Sequence, residues 1–257
     1  YAILLNITND HIDWHGSKKN YIKSKLKIFK LQTTNDFALI YNNFKKNYKK
    51  QKYLGKLILT NFKNYKKIKS KINNDYLKSS SNDENMNFVY SLSKLFNISD
   101  RSFTKSMNSF VGLPHRYEIF LKKKNILFIN DSKATSFQAA KFALSSSNNI
   151  CWITGGLPKD NDKINLRNIK KNIIKSYIIG KNINFFKKKL KNKIKFAVTK
   201  NLKNSLIRIF KDIKLSSKHN FTILLSPGAA SFDQFKNFED RGNEFKKLSK
   251  IYAKKYI

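Results

Sequence analysis

Short apolar runs alternate along the chain with longer stretches in which apolar residues recur every three or four positions. FALIY at 37–41 and FTILL at 221–225 are rich in β-branched and aromatic residues, which is typical of buried strands. Residues 18–30 instead place Tyr21, Leu26 and Phe29 at helical spacing. The pattern therefore predicts an α/β protein with several strands, each separated from the next by helical sequence.

The first 111 residues predict a mixture of strands and helices. Residues 64–83 are rich in Lys, Asn and Ser with little apolar periodicity, so we expect a loop or a weak strand there. Ser99 and Asp100 form a cap before the last helix of this part. The strands are predicted at 2–8, 37–41 and 54–60, and the helices at 18–30, 87–97 and 102–110.

A change of pattern follows Gly112 and Pro114. Beyond them, strand and helix alternate regularly, which indicates a mostly parallel sheet and a domain boundary near Gly112. We expect the last helix to run from about Ser231 to the end of the chain. The strands are predicted at 117–122, 125–130, 150–154, 176–179, 195–198 and 221–225.

The charge balance is strongly basic, with 53 Lys and Arg against 16 Asp and Glu and a formal net charge of +37. Such a balance is typical of proteins that bind nucleic acid or anionic membranes. However, only five of the basic residues are Arg, the side chain that nucleic-acid sites favour, and the Lys residues are scattered along the whole chain. We interpret most of them as solvated surface and expect no specific nucleic-acid partner.

Three features of the sequence indicate the cellular compartment of the protein and whether the chain is part of a longer one. Cys151 is the only cysteine and lies in an apolar run, so we expect a buried thiol, no intrachain disulfide and a reducing cytoplasm. No apolar stretch approaches the roughly 20 residues that a membrane-spanning helix needs, so we expect no membrane insertion. The chain starts at Tyr1, within a strand-like run, so we expect it to be the latter part of a longer protein.

Candidate chemistry lies where strands end, because ligands of such sheets bind beyond the carboxyl ends of the strands. Asp131, Lys133 and Thr135 follow one strand and lead into a helix, an arrangement that suits an anion such as phosphate, although Asp and Ser also serve as simple helix caps. Gly155-Gly156 with Lys159 follows another strand, which is a weak signal alone. The third junction, 227–231, offers small residues and the Ser231 hydroxyl, so a ligand can approach the backbone.

A cluster near the start offers Asp10, His11, Asp13 and His15. His11 and His15 share one helical face, which fits a zinc site, but no third distant ligand stands out. The competing interpretation is that one His binds Mg²⁺ or substrate while the others cap and pack. Both interpretations stay open at this point.

Five motifs stand out from the Lys-rich sequence around them: NITNDHIDWHGSKKNYIKSK, GLPHRYE, NDSKATS, GGLPKD and LLSPGAASFDQFKNFEDRGNEF. Together they resemble the Mur ligases of peptidoglycan synthesis, and within that family the enzymes that add D-glutamate to UDP-N-acetylmuramoyl-L-alanine. The resemblance implies three domains, of which this chain would hold two parts: 1–111, the last part of a central ATPase domain, and 112–257, a Rossmann-like C-terminal domain. The family's Gly-rich phosphate loop would lie before Tyr1, so we expect the chain alone to be inactive.

The resemblance also implies a reaction and its cofactors. ATP, with Mg²⁺, converts the carboxylate of UDP-N-acetylmuramoyl-L-alanine into an acyl phosphate, which the amine of D-glutamate then attacks. His11 would be a Mg²⁺ ligand and Lys25 the family's carbamylated lysine, which helps to position the metal. Lys25 has Ile22, Leu26 and Phe29 as its helical neighbours, so we expect an apolar setting that disfavours a bare ammonium.

The remaining site residues are also assigned by resemblance. Asp131 would contact the ribose of ATP, and Arg116 its phosphates, while Lys133 would lie near the transferred phosphoryl group. Asn85 or Asn87 would contact adenine, although the family's His-Asn segment is reduced here to DENMN. Thr135 and Lys159 would bind the α-carboxylate of D-glutamate, and Ser231 with the backbone of Phe238 its side-chain carboxylate.

Two departures and several alternatives complete the expectation. Ser136 stands where the family has Asn after the Thr, and His115 receives no clear role. We expect a monomer. The alternatives are another Mur-type ligase, one that adds a diamino acid or makes folylpolyglutamate, a Lys-rich nucleic-acid-binding protein, and a decayed remnant of a ligase.

Overall fold

The computed structural model describes residues 1–7, 12–60, 62–78, 82–159, 162 and 164–257, with the backbone alone at 12, 13 and 75. The chain divides into two compact units, Tyr1–Val111 and Gly112–Ile257, called unit 1 and unit 2 below. None of the helices over the described ranges combines the length and the apolar composition that a membrane crossing requires.

Unit 1 contains a three-stranded parallel sheet in the order β1-β2-β3, formed by Ala2–Leu4, Phe37–Tyr41 and Lys56–Thr60. The middle strand is buried on both sides, which explains why FALIY carries almost no polar residue. Helix α2 (Lys18–Leu26) and the 3₁₀ turn Lys27–Phe29 cover one side, where Leu26 and Phe29 pack against Ala38 and Ile40.

The prediction of a loop or weak strand at 64–83 is wrong. The structure forms helix α4 (Phe62–Lys69) and the single turn α5 (Asp75–Lys78) in this stretch. Tyr65, Ile68 and Ile72 are buried in one cluster with residues of the later helices, while Lys66, Lys67 and Lys71 between them are exposed. The apolar residues are few, but their spacing of three and four is helical, and Lys is a good helix former.

Four further helices lie in the described part of unit 1. The cap predicted at Ser99 is confirmed, since its hydroxyl accepts from Ser102 N at 3.2 Å. Tyr90 and Phe103 pack edge to face with ring centroids 5.1 Å apart, which joins the last two helices. The remaining helices are α1 (Ile12–His15), α3 (Lys45–Lys50), α6 (Asp83–Leu95) and α7 (Asp100–Asn108).

Unit 2 is built on a six-stranded sheet in the order β4-β5-β9-β6-β7-β8. Strand β4 runs antiparallel to β5, and all the other neighbours are parallel, so the prediction of a mostly parallel sheet is confirmed. The strands are β4 (Glu118–Lys123), β5 (Ile126–Asn130), β6 (Ile150–Gly155), β7 (Ile173–Ile179), β8 (Phe196–Lys200) and β9 (Phe221–Leu225).

Helices cover both faces of this sheet. Helices α8 (Phe137–Ser146) and α9 (Ile183–Leu190) pack on one face, against residues such as Trp152 and Leu224. Helices α10 (Leu202–Lys214) and α11 (Phe238–Tyr256) pack on the other face, where Cys151 is a buried free thiol. Because successive side chains of each strand point to opposite faces of the sheet, they contribute to two separate hydrophobic cores.

Helix α11 begins later than the sequence predicts. We expected it from about Ser231, but it starts at Phe238, because the Asn237 side chain accepts from Asp240 N at 2.7 Å and caps it there. The preceding residues form turns, in which Ser231 O accepts from Gln234 N and Phe235 N. This delay matters, because it leaves a loop over the carboxyl edge of the sheet.

One glycine fixes how closely α11 approaches the loop before β4. A Cβ at Gly242 would lie 2.1 Å from His115 Nδ1, closer than any real contact, whereas the next residue, Asn243, is exposed. Gly242→Ala therefore should destabilise the protein by about 1–3 kcal/mol through overpacking, although the same change in an open helix stabilises it. Urea unfolding measures the difference.

The matched control is Asn243→Ala, one position along the same helix. It should raise stability by roughly a few tenths of a kcal/mol, because Ala has the higher helix propensity and nothing is displaced. Equal or higher stability of Gly242→Ala than wild type would contradict the close approach.

Candidate active site

The loops that follow β5 and β9 border the carboxyl edge of the sheet, and the space between these loops is called the crevice below. These strands are neighbours, but the helices that follow them, α8 and α11, lie on opposite faces of the sheet. In open α/β sheets, ligands bind where neighbouring connections diverge in this way. The two strand ends are joined by a hydrogen bond from Asp131 N to Leu225 O of 2.8 Å.

Asp131 lies at the centre of this edge and is buried. Its Oδ2 accepts from Ser226 Oγ at 2.7 Å and its Oδ1 from Tyr117 N at 3.1 Å. Loss of solvent raises the pKa of Asp131 to about 7, although both hydrogen bonds and the nearby Arg116 favour the ionised form. A carboxyl that titrates near neutral pH in a crevice is a feature of functional sites.

Arg116 and Lys133 present positive charge beside Asp131. Both side chains are exposed, and their loops are joined by a bond from Lys133 N to His115 O of 3.0 Å. The residues on either side of Arg116, His115 and Tyr117, have φ of 63° and 48°, so this short turn is held in the left-handed region. The loop therefore turns Arg116 outward at a defined place next to Lys133.

His115, to which the sequence assigned no clear role, supports this turn from inside. Asn130 Oδ1 accepts from Ser132 N at 3.2 Å, which orients the amide so that its Nδ2 donates to His115 Nδ1 at 3.0 Å. The imidazole therefore carries its proton on Nε2. Burial, followed by the charge of Lys246, lowers the pKa of His115 and keeps the ring neutral.

The loop after β9 packs closely on the loop after β6. Leu157 N donates to Ala230 O at 2.8 Å, and Ala230 N donates back to Leu157 O at 2.9 Å. A Cβ at Gly156, whose φ is 131°, would lie 2.2 Å from Ala230 O. Only glycine permits this approach. The Gly-Gly pair, a weak signal in the sequence, thus fixes the backbone that leads to the buried Ser231.

The first turn of α11 reaches the same crevice. Ser132 Oγ donates to Phe238 O at 2.8 Å, and Lys133 Nζ lies 3.7 Å from the centroid of the Phe238 ring. A helix start leaves backbone N–H groups without helical partners and favours negative charge. The site therefore combines two cationic side chains with a helix N-terminus.

The other residues predicted for unit 2 lie around this crevice or close to it in the chain. Thr135 is half-buried. The next residue, Ser136, caps α8, because its hydroxyl accepts from Ala139 N at 3.2 Å. Lys159 is exposed in the loop that follows β6. The structure therefore brings together the loops that carry these predicted residues: Arg116, Asp131, Lys133, Ser231 and Phe238.

The site residues predicted in unit 1 differ in whether the structure describes them and in how exposed they are. His11 and Asp10, on which the zinc and Mg²⁺ interpretations of this cluster rest, lie outside the described residues. Asn85 is exposed, whereas Asn87 is fully buried and both polar atoms of its side chain lack a hydrogen-bond partner within the described part of the chain. Over the same residues, no group of three His, Cys, Asp or Glu side chains could hold a metal ion.

The expected apolar setting of Lys25 is wrong. The side chain is exposed, and its Nζ lies 5.4 Å from the centroid of the Tyr21 ring. Its neighbour Leu26 is buried on the sheet side of the helix, whereas Lys25 projects one position away from it. Burial of an ammonium therefore gives no reason for carbamylation here.

One buried side chain was not singled out from the sequence. Arg241 is 1% exposed and donates to Ser132 and Ala229, on two different loops of the crevice. Two signals were available: it is one of only five Arg in a Lys-rich chain, and Gly242 follows it inside a helix. Neither signal reveals burial without the sheet topology.

The raised pKa of Asp131 predicts a specific pH dependence. Between about pH 4 and 7 the folded protein binds a proton that the unfolded chain has lost, so stability should fall as pH rises through this window. Asp131→Asn should remove that fall, which is on the order of 4 kcal/mol at most. Thermal unfolding at several pH values measures it.

Asp36→Asn is the control. The hydrogen bonds from Thr33 lower the pKa of Asp36, so its contribution is lost only at more acidic pH and the slope between pH 4 and 7 should not change. Parallel stability curves for wild type and Asp131→Asn would show that Asp131 titrates normally.

Comparison with known proteins identifies relatives over almost the whole chain. Residues 1–108 match the family model of the Mur ligase middle domain. UDP-N-acetylmuramoylalanine–D-glutamate ligase of Wolbachia sp. subsp. Brugia malayi is 38% identical, with 95% of this chain and 52% of that protein covered. The enzyme of the same name from Rickettsia felis is 33% identical, with coverage of 98% and 61%. The chain thus spans about half to three fifths of these relatives.

Solved structures give the same result for the fold. The MurF ligase of Thermotoga maritima, in complex with ADP, aligns over 100% of this chain and 63% of its own, with a TM-score of 0.63 and 11% identity. The backbone arrangement is therefore shared although few side chains are. Taken with the middle-domain match and the D-glutamate ligase relatives, this means that the chain belongs to the Mur ligase family.

Proposed function

We propose that the protein encoded by this gene is an ATP-dependent ligase that adds D-glutamate to UDP-N-acetylmuramoyl-L-alanine in peptidoglycan precursor synthesis. The relatives named for this reaction support the proposal. The single structural observation that carries it is the crevice itself, where two exposed cations, Arg116 and Lys133, adjoin a helix N-terminus and the buried Ser231. Each substrate that meets there is an anion.

We assign the two units within that proposal. Unit 1, which contains the middle-domain match, is the latter part of the central ATPase domain. Unit 2 is the C-terminal domain, and its doubly covered parallel sheet is Rossmann-like. The assignment of unit 2 rests on the relatives, because the family model ends at residue 108.

The residues of the crevice fit a nucleotide phosphate chain. ATP, when bound, supplies the phosphoryl group that activates a carboxylate. Arg116 and Lys133 offset phosphate charge, and the hydrogen bond from Lys133 N to His115 O holds together the backbone segments that carry them. Asp131 has accepted two hydrogen bonds and retains acceptor capacity for a ribose hydroxyl.

The described residues do not form a metal site. They include no cluster of three suitable ligands, and Lys25 presents an exposed ammonium. The Mg²⁺ assignment of His11 and a carbamylated Lys25 is thus a proposal carried by the family resemblance alone.

D-glutamate would be bound by both of its carboxylates. Ser231 and the N–H of Phe238 fit the side-chain carboxylate, because Ser132 ties Phe238 to the phosphate side of the crevice and the loop before Ser231 is fixed by Gly156. Thr135 and Lys159, from the loops after β5 and β6, would bind the α-carboxylate. An amino acid with a neutral or shorter side chain leaves one of these anion sites unfilled.

A second candidate is a ligase of the same family that adds a different amino acid. It would share the ATP site but not depend on Ser231. A nucleic-acid-binding role for the Lys-rich surface makes a different prediction from either ligase. The affinity for nucleic acid should fall steeply with salt and should not depend on ATP or D-glutamate.

Ser231→Ala tests the clamp in the protein as its gene encodes it. A lost hydrogen bond to a charged group should raise KM for D-glutamate about 10-fold or more, while KM for ATP stays nearly unchanged, because only ground-state binding is lost. Steady-state kinetics with D-glutamate, D-aspartate and D-glutamine gives both values. Thr104→Ala, which removes a hydroxyl from a half-buried position of α7 in unit 1, should change neither KM.

Two results would contradict the assignment. Normal D-glutamate kinetics in Ser231→Ala would remove Ser231 from the clamp. Equal use of D-glutamine by the wild type would show that the second carboxylate is not recognised. Absence of D-glutamate-dependent ATP turnover in the wild type would refute the proposed function as a whole.

A further inference from the structure

Arg241 is a buried cation at the base of the crevice. It lies in the first turns of α11, where its backbone N donates to Asn237 O at 3.3 Å. Its guanidinium makes three hydrogen bonds, from Nε to Ser132 Oγ at 3.0 Å, from Nη2 to Ser132 O at 2.8 Å and from Nη1 to Ala229 O at 3.0 Å. Such a planar fork holds its acceptors at fixed relative positions, which a lysine cannot do.

These bonds join the two halves of the proposed site. Ser132 stands between Asp131 and Lys133, on the phosphate side, whereas Ala229 is two residues before Ser231, on the carboxylate side. Ser132 Oγ in turn donates to Phe238 O at 2.8 Å, which links the start of α11 to the same segment. One side chain thus fastens three backbone segments, each of which carries a residue of the proposed site.

The charge of Arg241 is not neutralised by the described chain. No Asp or Glu among the described residues forms an ion pair with it, and Asp233, the carboxylate that acts on it at longer range, accepts instead from Lys181 N at 2.9 Å. Burial lowers the pKa of Arg241 to about 10, so the group stays charged at neutral pH. A buried cation without a counter-ion is costly, and an anion bound nearby would offset that cost.

We infer that Arg241 is a positioning residue for the amino-acid substrate, whose distal carboxylate serves as its counter-ion. The guanidinium holds the backbone of Ser132 and Ala229 so that Ser231 and the N–H of Phe238 converge, and its charge favours an anion at that point. The inference rests on the proposed function. It adds a charge-based reason for selecting D-glutamate over its amide, beyond the hydrogen bonds of the clamp.

A purely structural tie makes a different prediction from a charged positioning residue. If Arg241 only holds the loops together through its hydrogen bonds, Lys and Met should replace it equally poorly, because neither side chain has the planar guanidinium. A positioning charge is retained by Lys and removed by Met, which has a similar length. Comparison of the two variants therefore separates charge from hydrogen bonding.

The experiment measures steady-state kinetics of Arg241→Met and Arg241→Lys in the protein as its gene encodes it. Arg241→Met should raise KM for D-glutamate about 10-fold or more, with KM for ATP changed by less than about 3-fold, since the lost interaction is with the amino acid. Arg241→Lys should lie between Met and wild type. Arg208→Met, which removes an exposed Arg paired with Asp212 on α10, is the control and should match wild type.

Four outcomes would overturn the inference. Arg241→Met with normal KM for D-glutamate removes the role, and equal values for Lys and Met variants reduce Arg241 to a structural tie. A parallel rise in both KM values would mean general damage to the crevice. If the wild type shows no D-glutamate-dependent turnover, the proposed function fails, and this inference fails with it.

Ser132→Ala keeps the test decisive if Arg241→Met does not fold, as thermal unfolding would show. It removes the Oγ that links Arg241 to Phe238 but leaves the buried charge and the two carbonyl contacts. KM for D-glutamate should rise by about 3-fold, a smaller change than for loss of the charge. No change in Ser132→Ala would show that the guanidinium does not position Phe238.

Discussion

The parallel pairing of β5 with β9 is the constraint on which the rest of unit 2 depends. These strands are distant in sequence, yet their pairing places Asp131 beside Ser226 and sends the chain from adjacent strand ends to opposite faces of the sheet. The peptide groups just beyond the strands then hydrogen-bond to neighbouring loops and to the ends of neighbouring strands. The loops after β5, β6 and β9 hydrogen-bond to one another, and the crevice is the space that they border.

Much of this arrangement could be predicted from the sequence. The apolar runs of unit 2 locate all six strands, because buried parallel strands are almost continuous in apolar residues. The prediction of a loop at 64–83 is wrong because two buried residues, Tyr65 and Ile68, are enough to hold a short helix in which four of the eight positions are Lys. The start of α11 was placed too early because small and polar residues after β9 are compatible with either a helix or a turn, and the choice depends on the Asn237 cap.

The site was less predictable than the fold. Residues at strand ends, such as Asp131 and Lys133, can be proposed from position alone, since the carboxyl edge of the sheet gathers them. Burial cannot be deduced in the same way: Lys25 has apolar neighbours in sequence yet is exposed, and Arg241 lies in a polar segment yet is enclosed. Both outcomes depend on which side of a helix meets the sheet, and one helical position is enough to reverse them.

Four of the hydrogen bonds that join the loops of the crevice are made by main-chain atoms alone. Asp131 N to Leu225 O, Lys133 N to His115 O and the paired bonds between Leu157 and Ala230 involve no side chain. Replacement of the surrounding residues leaves such bonds in place, provided that glycine remains where the backbone segments touch. The geometry is therefore tolerant of wide sequence drift, including the accumulation of lysine over the surface, while drift at Gly156 would separate the loops at once.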